Sequence, residues 1–100
     1  MDTWATWTTA GVISGRGGVM TDEVGAITGD LTVHTTWLEG EAAVAVQYTG
    51  AEDWYTVTGS PIHAGDELTG RAVHQKAVET IRSGHAARLS TEDQGLPGGA

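Results

Sequence analysis

The sequence predicts an α+β domain: an antiparallel β-meander packed on one C-terminal helix. Residues 31–58 contain three short segments in which β-branched or aromatic side chains alternate with small and polar ones, separated by glycine-and-acid turns. Residues 64–84 carry an apolar stripe of helical period with capping residues at both ends. With 100 residues, the chain can build one core but not two.

The first thirty residues predict one or two further strands. Asp2 to Thr9 reads as a strand with Trp4 and Trp7 on opposite faces. Val12-Ile13 and Val19-Met20 flank Ser14-Gly15-Arg16-Gly17-Gly18, the pattern of a glycine-rich hairpin. Val24 to Thr28 suits either a short helical turn or a lead-in to the next strand.

The meander follows. Over residues 31–38, Leu31, Val33, Thr35 and Trp37 share one face, with Thr32, His34 and Thr36 on the other. Glu39-Gly40-Glu41 turns the chain into a strand over 43–49, which puts Val44, Val46 and Tyr48 together. After a second turn at Gly50-Ala51-Glu52-Asp53, residues 54–58 set Tyr55 and Val57 on one face and Trp54 and Thr56 on the other. Connections this short favour antiparallel neighbours.

Gly59-Ser60-Pro61 ends the last strand. Both Ser60, with Pro61 behind it, and Asp66 can cap the following helix, expected over about 64–84. Val73, Ala77 and Ile81 form its apolar stripe, flanked by His74 and Val78, with Arg71, Gln75, Glu79 and Arg82 opposite. Gly84 suits the position just past its end. Residues 1–89 thus form a single domain. Residues 90–100, with Gly, Pro and acids around one Leu, are expected to be a flexible tail.

The hydrophobic fraction is 39%, low for a small globule, so the four tryptophans are expected to anchor the core. Cysteine is absent, which excludes disulfides and thiolate metal sites. A single lysine amid abundant Ala, Gly, Thr and Val points to a GC-rich, bacterial coding source. No basic leader and no apolar run of membrane-spanning length is visible, so a cytoplasmic location and no membrane partner are expected. The net charge is −8, from 13 acidic and 5 basic residues, and a basic footprint for direct nucleic-acid binding is missing. The paired acids fall in expected turns, a helix start and the tail, where carboxylates cost little.

No motif carries catalysis, a cofactor or a metal. Ser14–Gly18 runs into a strand-like segment with no lysine following, unlike a phosphate loop. His63 with Asp66 and Glu67 has ligand chemistry, but Asp66 is wanted as a helix cap. His34 needs only a hydroxyl neighbour to be satisfied. The more informative feature is the sheet face opposite the helix, with His34, Gln47, Trp54 and Thr56 on it. Either the N-terminal segment folds across this face and buries Trp54 against Trp4 or Trp7, or the face is open for recognition. The expected function is a non-catalytic protein-binding or regulatory module acting through Trp54, His34, Gln47 and Thr56, its partner another protein or a second copy of itself. Two alternatives are an acidic nucleic-acid mimic that inhibits a basic DNA- or RNA-binding protein, and a small-molecule site or minor enzyme using His34 or His63 in a pocket between sheet and helix.

Overall fold

The computed structural model describes residues 3–90. It is an antiparallel sheet packed on one helix, as the sequence predicts. The elements are β1 (Trp4–Ile13), β2 (Val19–Thr21), β3 (Gly25–Ile27), β4 (Asp30–Leu38), β5 (Glu41–Tyr48), β6 (Tyr55–Thr56), β7 (Ile62–His63) and α1 (Glu67–Ser83). The main sheet runs β1-β4-β5-β6, with β7 pairing the start of β5 beyond β6. The tail expected from residue 91 onward lies outside the described residues.

The meander of β4, β5 and β6 is antiparallel as expected and pairs the expected faces: Val33 lies opposite Val46, Thr35 opposite Val44, and Val46 opposite Tyr55. The third strand is shorter than the expected 54–58: it pairs with β5 over Tyr55–Thr56, and the Val57 amide still donates to Val44 O at 3.0 Å. Val57 then bridges Thr21 of β2, and the Thr58 amide donates to Met20 O at 2.9 Å. β1 pairs antiparallel with β4, Trp4 opposite Leu38 and Thr8 opposite His34, with a register shift between Thr9 and Val12 where Gly11 has φ +70. A bulge of this kind admits an extra residue and re-aims the strand.

The expected hairpin through the glycine-rich stretch does not form. β2 pairs with β3 instead, a small hairpin inserted between β1 and β4. The stretch at 14–18 has another task. It crosses the C-terminus of α1 backbone to backbone, where the Gly15 amide donates to Ile81 O at 3.0 Å and the Ala87 amide to Gly18 O at 3.0 Å. A Cβ on Gly15 would strike the carbonyls of Arg82 and Ser83, and one on Gly84 the backbone of Gly15 and Arg16. The glycines are there for close approach and for satisfying a helix end.

The helix starts three residues later than the expected 64 because Asp66 is its N-cap, its carboxylate accepting from the Thr69 amide at 2.8 Å. Gly84 ends it, its amide reaching back to Ile81 and Thr80 carbonyls. The expected stripe of Val73, Ala77 and Ile81 is buried, together with Gly70, His74 and Val78. It packs on the β1–β4–β5 face that holds Leu31, Val33, Trp37, Val44 and Val46. Val19, Ile27, Val57 and Leu89 extend this core beneath the inserted hairpin. No helix among the described residues is long and apolar enough to cross a membrane.

The tryptophans do not all anchor the core. Trp37 is buried, its Nε1 donating to Ala64 O at 2.8 Å, and Trp7 is half-buried against α1. Trp4 and Trp54 are exposed. Alternation decides this: Trp4 and Trp54 fall on the side of the sheet that no described element covers, and Val, Leu and Ile fill the core instead.

Candidate functional site

The expected covering of the second sheet face by the N-terminal segment does not occur. That segment is β1, and it widens the sheet beside β4 rather than crossing it. The outer face is therefore open over the described residues.

Its composition follows from the register. One row across the strands reads Thr8, His34, Ala45 and Thr56, and the next reads Thr6, Thr36 and Ala43. Thr32 lies opposite Gln47 on one side of these rows, and Trp4 opposite Leu38 on the other. Small Ala43 and Ala45 make a low floor beside the larger groups. Trp54 leans over it onto His34, with ring centroids 5.8 Å apart and planes inclined at 60°. His34 Nδ1 is 2.7 Å from Thr8 Oγ1, so its hydroxyl partner comes from β1 and not from its own strand. Gln47 Nε2 donates to Ala51 O at 3.0 Å, tying the turn after β5 to the sheet.

Trp54, His34, Gln47 and Thr56 thus do share one surface, as the sequence suggested. Thr56 is the most committed of the four: its amide and hydroxyl both donate to the Glu23 carboxylate, each at 2.7 Å. These two bonds hold Glu23 below the ordinary carboxylate range. The face carries no Lys or Arg on its strands, and its acids, Asp30, Glu41 and Glu23, lie at its margins.

Other carboxylates are similarly occupied by threonines. Asp22 accepts from Thr58 Oγ1 at 2.9 Å and Asp30 from Thr49 Oγ1 at 2.8 Å, while Asp66 caps α1. These four carboxylates are thus tied to local turns and a helix cap. His63 is exposed on β7, and Asp66 is engaged as the cap. Among the described residues no three His, Cys, Asp or Glu side chains gather to hold a metal.

An open groove of about 420 Å³ between helix and sheet contains neither His34 nor His63. Thr9, His74, Gln75, Val78, Glu79 and Arg82 line it. His74 is 5% exposed, with Nε2 2.9 Å from Thr9 Oγ1 and Nδ1 2.7 Å from Thr35 Oγ1. Its ring stacks on Trp7 at 6.5 Å. Burial, and secondarily the nearby His34, lower its pKa, so the imidazole is neutral, one nitrogen donating and the other accepting. Both ring nitrogens are held by alcohols. That arrangement satisfies a core histidine without a carboxylate to orient it as a general base. The sequence placed His74 beside the helix stripe. Its threonine partners could not be read there, because they depend on the β1–β4 pairing. No family model, no curated protein and no solved structure matches the chain.

Proposed function

We propose that this chain is a non-catalytic protein-binding module that engages a partner through the outer face of its sheet, with Trp54 at the centre and His34, Gln47 and Thr56 around it. The observation that carries the reading is Trp54, 45% exposed on a sheet face whose acids lie at its margins, in a chain of net charge −8. Interface centres are depleted in charge and enriched in aromatics, since charged groups are costly to desolvate. Burying the exposed part of the indole, roughly 100 Å², would contribute about 2–3 kcal/mol. Trp4 and Leu38 offer a second apolar contact at another corner of the face. The marginal acids favour a partner whose contact surface is apolar at its centre and basic at its rim. The reading goes with the cytoplasmic setting expected from the sequence.

The test is a Trp54→Ala protein compared with the wild type in partner capture, with circular dichroism as a check on folding. Loss of a specific partner with an unchanged fold supports the proposal; unchanged capture overturns it. A second reading, a small-molecule site, is favoured by the groove beside His74. Ligand-induced NMR shifts confined to Thr9, His74 and Arg82 would support that reading instead.

A further inference from the structure

β1 is a free edge of the main sheet: β4 pairs with one side of it, and no described strand pairs with the other. Such an edge presents a row of main-chain donors and acceptors to any strand that can reach it, and proteins guard it with Lys, Pro, short strands or bulges. Here the strand is ten residues long with no charge and no proline, WATWTTAGVI. Its one guard is the irregularity between Thr9 and Val12, which leaves Trp4–Thr9 regular and unprotected.

We propose that the chain self-associates through this edge, Trp4–Thr9 pairing antiparallel with the same segment of a second copy to make one continuous sheet. The charge pattern favours a second copy. An antiparallel pair of identical strands has a two-fold axis perpendicular to the sheet, so a neutral edge meets a neutral edge despite the acidity of the whole chain. α1 packs on β1, β4 and β5, so both helices would lie on one side of the continuous sheet. Both outer faces would then point to the same side, giving a bivalent array of the Trp54 surfaces.

Light scattering over a wide concentration range tests this, with Thr6→Lys as the disrupting variant. Thr6 is exposed on the regular part of β1, and a lysine there places like charges near the two-fold and guards the edge. The wild type is expected at twice the chain mass of 10.4 kDa and Thr6→Lys at the chain mass. Trp54→Ala, on the far side of β5, is expected to remain paired. Hydrogen exchange reads the edge directly: amides of Trp4–Thr9 should gain protection with concentration in the wild type. A wild-type monomer at the highest soluble concentration, pairing retained in Thr6→Lys, or pairing lost in Trp54→Ala would each overturn the proposal. The last would assign self-association to the outer face, so the two surfaces are separable.

Discussion

Replacing Gly70 by alanine should destabilise the protein, although alanine is the better helix former. Gly70 lies within α1, directly under the Trp37 indole. An added Cβ would stand 3.0 Å from Trp37 Cγ and 3.1 Å from its Cβ and Cδ1. In an open helix position the substitution would gain about 1 kcal/mol. Here the indole would have to move by a few tenths of an ångström, and it is held by close packing and by its 2.8 Å bond to Ala64 O. Overpacking of a rigid core costs about 1–3 kcal/mol, so the net effect should be a loss of about 1 kcal/mol. For a domain of this size that lowers Tm by about 4–8 °C. Thermal and urea unfolding give the number, and the same substitution in a Trp37→Leu background supplies the control. With the indole gone, Gly70→Ala should become stabilising by about 1 kcal/mol. A rise in Tm for Gly70→Ala alone, or equal effects in both backgrounds, would refute the packing argument.

Two further predictions concern His74. Thr35→Val keeps the volume of a fully buried side chain but removes the partner of His74 Nδ1, and should cost about 1–3 kcal/mol in urea unfolding. Thr9→Val should cost less, because Thr9 is only half-buried at the groove and water can take its place. The second is a pH dependence. The folded pKa of His74 is depressed below the ordinary value near 6.5, so the unfolded chain takes up a proton that the folded chain refuses. Its contribution to stability is complete above about pH 6.5 and falls as the pH drops below that value toward the folded pKa. An NMR titration in which His74 protonates at or above its ordinary value, with Glu79 and Arg82 of the groove nearby, would contradict this.

The meander, the faces of its strands and the helix stripe were legible because they rest on local periodicity: alternation over Leu31–Trp37 and Val44–Tyr48, and the spacing of Val73, Ala77 and Ile81. The placing of His34, Gln47, Trp54 and Thr56 on one surface was legible for the same reason, since a two-residue period fixes the face. What stayed hidden depends on long-range pairing. Ser14–Gly18 looks like a hairpin locally, yet its glycines answer to the helix end some seventy residues away. β1 could be read as a strand but not as a neighbour of β4, so the fates of Trp4 and Trp7 and the Thr9–His74–Thr35 chain could not be derived. The expectation that every tryptophan serves the core failed at Trp4 and Trp54. Area burial favours large rings inside, but the parity of their positions puts them outside.

The central claim is that the open face around Trp54 is where a partner binds. A photo-crosslinking residue at Gln47, with the same group at Lys76 on the exposed side of α1 as control, tests it most directly. The account predicts crosslinks to a defined protein partner from position 47 and not from position 76, abolished by Trp54→Ala. Crosslinks from position 47 that survive Trp54→Ala, or that arise equally from position 76, would contradict it.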